Sequence, residues 1–248
     1  MGVVSNFIEL TMDFSDRHVI VTGGAGSLGT AVVELLLDSG ATCSVPCFNQ
    51  DEFDSFELSD HENVFAKVGV DLSDEAQAQS FYEDAIDANG SLWGSIHIAG
   101  GFGMGSIENT PKADFMKQIN LNLVTCFNSC RASVQHFKSQ GKGGRIVNIA
   151  ARPAQEPRQG KGMTAYTTSK AGVAALTESL AAEVVEDDIL VNAIAPSVID
   201  TPQNRKSMPD ADFGKWPKPK QLAQQVAYLV SPENEVTRGS IVTVYGKS

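Results

Sequence analysis

Seven short runs rich in β-branched and apolar residues recur along the chain: HVIVT (18–22), TCSVPCF (42–48), VFAKVGV (64–70), GSIHIAG (94–100), RIVNIA (145–150), ILVNAIA (189–195) and SIVTVY (240–245). Runs of this length and makeup read as strands. The spacers between them predict helices over 27–39, 74–88, 112–139, 164–186 and 219–230. Near-continuous apolar strands alternating with helices imply right-handed crossovers and a parallel sheet covered on both faces. The chain has 248 residues, 42% of them hydrophobic, enough to bury one substantial core, so residues 1–248 are expected to form a single α/β domain.

Charge narrows the partners. Thirty acidic residues against 19 Lys and Arg give a net charge of −11, which argues against nucleic acid or an anionic membrane, since both are recognised by clustered basic residues. The opening MGVVSNFIELTMDFSDRH breaks its apolar runs with polar residues, and no apolar run reaches membrane-spanning length. A soluble, cytoplasmic protein is expected. The four cysteines, Cys43/Cys47 and Cys126/Cys130, have no His close in sequence and no secretory context, so they are expected to be buried thiols, with no metal.

Thr22-Gly23-Gly24-Ala25-Gly26-Ser27-Leu28-Gly29 follows the first strand and opens the first helix. Gly23 and Gly26 permit a tight turn and close backbone approach to a pyrophosphate on the helix N-terminus, and Gly29 lets helix and strand pack closely. With the strand and helix pattern, this predicts a Rossmann-like doubly wound sheet of about seven strands binding NAD(H) or NADP(H). The acid expected about 20 positions after the turn, to hold the ribose 2′-hydroxyl of NAD, is missing. The second strand ends Pro46-Cys47-Phe48-Asn49-Gln50, without an Arg or Lys for a 2′-phosphate either. Asp51 and Glu52 just beyond would repel such a phosphate if they faced it, which leans the expectation slightly to NAD(H). Asp71, after the third strand, reads either as an adenine contact or as the start signal of helix 74–88. The long segments 151–163 and 196–218 follow strand ends, where open α/β sheets bind ligands.

TAYTTSK (164–170) places Tyr166 and Lys170 four residues apart, on one helix face. An unperturbed phenol titrates near 10, so work around pH 7 asks for roughly 3–4 kcal/mol of bias. A Lys ammonium at about 4 Å supplies on the order of 4 kcal/mol at an effective dielectric near 20.

Taken together, the glycine turn, Asp71, Ala99-Gly100, Asn122, Tyr166-x-x-x-Lys170 and the run from Pro196 to Thr201 resemble the short-chain dehydrogenase/reductase family, in order and over almost the whole chain. The resemblance implies Tyr166 as general acid, Lys170 on the nicotinamide ribose and Asn122 holding a relay water. It also implies cofactor contacts at Ser27, Leu28 and Leu72, at Ala99, Gly100 and Gly101, at Tyr166 as well as Lys170, and at Pro196, Ile199 and Thr201. It implies a homodimer or homotetramer paired through helices 112–139 and 164–186.

Three departures stand out. Ala151 occupies the position where the family usually carries a Ser, with Arg152 and Thr164 as candidate substitutes. His97-Ile98 replaces the usual Asn-Asn, and His97 is expected to be a structural partner of backbone and ribose. Ser27 stands where shorter members of the family have Gly. The missing Ser, Ala99-Gly100-Gly101-Phe102, and TPQNRKSMPDADFGKW (201–216) are similar to the dihydropteridine reductase branch. The expected substrate is therefore a small carbonyl or quinonoid compound, contacted by Ala151, Arg152, Phe102, Met208 and Trp216, with 196–218 as a closing lid. A catalytically silent nucleotide-binding sensor is the alternative of another class. Retention of Tyr166, Lys170 and Asn122 together opposes it.

Overall fold

A computed structural model describes residues 12–248. All seven expected strands are present: β1 (His18–Thr22), β2 (Thr42–Cys47), β3 (Val64–Val68), β4 (Leu92–His97), β5 (Gly144–Ile149), β6 (Ile189–Pro196) and β7 (Ile241–Val244). They form one parallel sheet in the order β3-β2-β1-β4-β5-β6-β7. The order reverses between β1 and β4, and this switch point opens a crevice at the carboxyl ends of the strands.

Alternation along the strands feeds two cores. In β1, Val19 and Val21 point to one side with Leu36, Leu222 and Val226, while Ile20 points to the other with Phe81, Phe137 and Val173. The first layer is carried by helices α1 (Ser27–Asp38) and, late in the chain, 219–230. The second is carried by α3 (Glu75–Asn89), which follows the short α2 (Gln50–Asp54), and by helices further along. Asp74 caps α3 through the Gln77 amide, and Gly90, at φ 79°, ends it.

The predicted helix 112–139 is interrupted. α4 (Lys112–Ile119) runs into a π turn, Asn120–Val124, before α5 (Thr125–Gln140) resumes. Loop 151–163 holds the short α6 (Arg152–Gln155) and leads into α7 (Thr164–Glu183). Segment 196–218 contains α8 (Pro202–Ser207), capped by the Thr201 hydroxyl, and α9 (Pro219–Val230) follows. Neither α6 nor α8 shows in the sequence, because helices this short offer too few residues to display a period. Among the described residues, no helix is long and apolar enough to cross a membrane.

Candidate active site

A cleft of about 740 Å³ lies over the switch point. Of the expected cofactor residues, Gly23, Gly26, Ser27, Leu28, Asp71, Leu72, Ala99 and Gly100 line it. Gly101 instead packs on Leu121, Pro196 closes β6 and Thr201 caps α8; with Ile199 they stand outside this lining. The turn is shaped by contact. Gly23 sits at φ +66°, and a Cβ there would lie 2.7 Å from the Ala99 nitrogen; a Cβ on Gly29 would lie 2.0 Å from the Gly23 oxygen. Gly26, at the N-cap of α1, contributes no side-chain cap, so the first amides of the helix face the cleft unclaimed by a neighbour. A bare backbone cradle on a helix N-terminus fits a dinucleotide pyrophosphate.

A carboxylate does reach the end of β2, from α2. Asn49 caps that helix by accepting the Glu52 amide at 2.9 Å, and Glu52 Oε2 in turn accepts the Phe48 amide at 2.7 Å. This reciprocal cap brings the Glu52 carboxylate back to the end of β2, where it and the exposed Phe48 ring line the cleft. Asp71 does not cap α3. It accepts from the Ser73 amide and hydroxyl at 2.8 and 2.7 Å, leaving the cap to Asp74.

Lys170 is buried on α7 and donates to the Ile149 carbonyl at 2.7 Å. Asn122 lies within the π turn; its Nδ2 donates to the Gly101 carbonyl at 2.9 Å and its Oδ1 accepts the Gly101 amide at 3.0 Å. A Cβ on Gly100 would lie 2.6 Å from Asn122 Oδ1 and 3.5 Å from Lys170 Nζ, so both polar groups converge on the same bare backbone. Tyr166, one turn before Lys170, packs edge-on against Phe102 with ring centroids 5.0 Å apart.

Electrostatics differ from the sequence expectation. Burial pushes the Tyr166 phenol up to about 12, and burial also draws the Lys170 ammonium down to about 8, with Cys126 opposing that fall. Desolvation therefore outweighs the lowering of Tyr166 by Lys170 expected from their spacing.

The substrate side is less fully assembled. Ala151 is buried at the start of α6. Arg152 is paired with Glu156 at 3.0 Å and stacks on the Tyr245 ring at 4.7 Å, so its guanidinium is already engaged. Thr164 is exposed at the first turn of α7. Trp216 is buried against Phe213, with ring centroids 5.0 Å apart, whereas Met208 is exposed.

His97 is placed differently from expectation. It is buried and turned into the core: Nδ1 meets Asn148 Oδ1 at 2.8 Å and Nε2 meets Ser95 Oγ at 2.8 Å. Cys126 and Cys130 face the same point, so the fold gives the second cysteine pair the His that sequence proximity did not. All four cysteines are buried thiols, as expected.

The chain is similar to known proteins over most of its length. Residues 17–212 match the family model described as short chain dehydrogenase. The chain is 28% identical to the (2S)-[(R)-hydroxy(phenyl)methyl]succinyl-CoA dehydrogenase subunit BbsD of Thauera aromatica, covering 95% of this chain and 97% of that one. It is 30% identical to galactitol 2-dehydrogenase of Rhizobium johnstonii, covering 92% and 93%. Among solved structures it is similar to levodione reductase, with a TM-score of 0.85 at 26% identity over 94% and 97% of the two chains. The chain belongs to the short-chain dehydrogenase/reductase family of NAD(P)-dependent oxidoreductases.

Proposed function

We propose that the protein reduces a small carbonyl or quinonoid compound, preferring NADH, with Tyr166 as the proton donor. The convergence of Asn122 and Lys170 on the bare Gly100 backbone, with Tyr166 one turn before Lys170 on α7, carries this reading. The nicotinamide cofactor, when bound, supplies the hydride. Gly23, Gly26 and the first amides of α1 would hold its pyrophosphate, and Glu52 and Phe48 would stand at its adenosine end.

The chain's own residues provide the proton. A phenol that titrates near 12 stays protonated at neutral pH, which suits donation to a reduced oxygen or nitrogen better than abstraction from an alcohol. Lys170, held by Ile149, places a cation beside the phenolate as it forms. Asn122 fixes the Gly101 backbone and, with it, the rim that carries Phe102. Phe102 covers one edge of Tyr166 and restricts water there.

Ala151 offers no hydroxyl to polarise a substrate oxygen, a contact typically worth about 10²–10³ in rate. A conjugated, electron-poor acceptor needs that contact less than a simple ketone does. This favours the quinonoid class, including a quinonoid dihydropterin. Segment 196–218 would act as the lid, with buried Trp216 as its anchor and exposed Met208 at its edge. Pairing of two chains through α5 and α7 would cover Phe127, which is half exposed on α5.

The test is calorimetric titration with NADH and NADPH, followed by turnover of quinonoid dihydropterin and a ketone panel, with Tyr166→Phe as control. Binding with Tyr166-dependent turnover supports the reading. Binding without turnover of any of these compounds overturns the substrate class, and absence of nucleotide binding overturns the cofactor.

A further inference from the structure

Beneath the active site, four donor atoms from three elements meet in the core. His97 Nδ1 comes from β4, Cys126 Sγ and Cys130 Sγ from consecutive turns of α5, and Asn148 Oδ1 from β5. Asn148 Oδ1 lies 2.8 Å from the imidazole nitrogen, 3.3 Å from Cys126 Sγ and 3.5 Å from Cys130 Sγ, and Cys130 Sγ lies 3.4 Å from the same nitrogen. The His and Cys donor atoms all fall within 4.8 Å of one another.

We infer that His97, Cys126, Cys130 and Asn148 form a closed, tetrahedral site for a single zinc ion. Bonds of about 2.3 Å to sulfur and about 2.0–2.2 Å to nitrogen and oxygen give tetrahedral edges of roughly 3.3–3.8 Å. The three edges of 3.3–3.5 Å to sulfur fall in that range, the remaining two to sulfur lie within 4.8 Å, and the nitrogen–oxygen edge needs to open by about half an ångström.

The surroundings suit a cation. Zinc on Nδ1 puts the imidazole proton on Nε2, which Ser95 Oγ is placed to accept at 2.8 Å; Ser95 is itself within 2.7 Å of the Tyr82 hydroxyl. Asn148 Nδ2 donates to Thr177 Oγ1 at 2.9 Å, which turns the amide oxygen toward the thiols. Such outer partners orient metal ligands and fix the histidine tautomer. Charge also balances: two thiols lose their protons as zinc binds, and two thiolates neutralise the doubly charged ion, so the core beside Lys170 gains no net charge. The mixed nitrogen, oxygen and sulfur set selects zinc over copper(I), which favours sulfur donors.

All four residues are under 5% exposed, so no position is left for substrate. The site is structural: the ion enters as the chain folds and ties α5 to β4 and β5 under the cofactor cleft.

The test uses the full chain, purified under reducing conditions without chelator. Metal content should approach one zinc per chain, and X-ray absorption should show two sulfur and two nitrogen or oxygen neighbours. Protein unfolded with a chelator and refolded with cobalt(II) should retain one cobalt through desalting and show thiolate-to-cobalt charge transfer. Cys126→Ser should roughly halve that band, Cys47→Ser should leave it, and Ser95→Ala should weaken affinity roughly 10–100-fold. Folded protein that carries no zinc and retains no cobalt overturns the proposal, as does a first shell lacking two sulfurs. The stoichiometry and absorption readouts need no variant, so a substitution that fails to fold leaves the proposal open to refutation.

Discussion

The carboxylate of Glu52 accepts the backbone amide of Phe48 at 2.7 Å, so an acid from the first turn of α2 stands at the carboxyl end of β2. A 2′-phosphate in the cleft would meet that charge. Glu52→Gln keeps an acceptor for the Phe48 amide and removes the charge. Its expected effect is a gain in NADPH affinity relative to NADH of about tenfold, or about 1.4 kcal/mol, measured by titration calorimetry. An unchanged ratio would place Glu52 outside cofactor discrimination.

Tyr166→Phe keeps the ring that packs against Phe102 and deletes only the hydroxyl. Turnover should fall by roughly 10²–10⁴, while nucleotide affinity changes far less, since the glycine turn and helix amides that would hold the pyrophosphate are untouched. A variant that still turns over at the wild-type rate would assign the proton to another group.

Asn122 is buried, and its amide serves both the amide and the carbonyl of Gly101. Asn122→Ala leaves those two groups without their partner and should cost about 1–3 kcal/mol in urea unfolding. Its KM for nucleotide should rise because the Gly100-Gly101 backbone loses its brace. Unchanged stability and KM would show that the loop holds itself.

Acid should weaken the protein through His18. This residue is buried; its Nδ1 donates to the Gly90 carbonyl at 3.0 Å, its Nε2 accepts from the Ser44 hydroxyl at 2.8 Å, and burial lowers it to about 4. The unfolded chain binds this proton near pH 6.5 and the folded chain resists it until near pH 4. The stability is therefore fully present above pH 6.5 and is lost as pH falls through 4, by up to roughly 3 kcal/mol. Urea unfolding at pH 7 and pH 4.5 should show a steeper loss in wild type than in His18→Gln. Equal slopes would refute the assignment.

The strands and long helices were legible because each carries its own period: seven apolar runs became seven strands, and helix 219–230 has the bounds its pattern predicts. The glycine turn was legible because its chemistry is local. What escaped depends on geometry that no window of sequence holds. Glu52 reaches β2 only because Asn49 caps a five-residue helix, and His97 meets Cys126 and Cys130 only once β4 and α5 pack together. The cost of burying Tyr166 and Lys170 was likewise hidden, since spacing shows that two side chains share a face but not how much water reaches them.

The π turn at Asn120–Val124 works as a phase shifter. Each residue of an α-helix turns the chain by about 100°, so one surplus residue there changes which face α5 presents relative to α4. Upstream of it, Gln118 reaches the Asn122 amide; downstream of it, Cys126 and Cys130 reach Asn148 and His97. A chain shortened by one residue in this turn could satisfy one of those alignments or the other. The loop that would hold a nicotinamide and the thiols beneath it are thus set in register by a single irregularity, and a repair that made the helix regular would pull them apart.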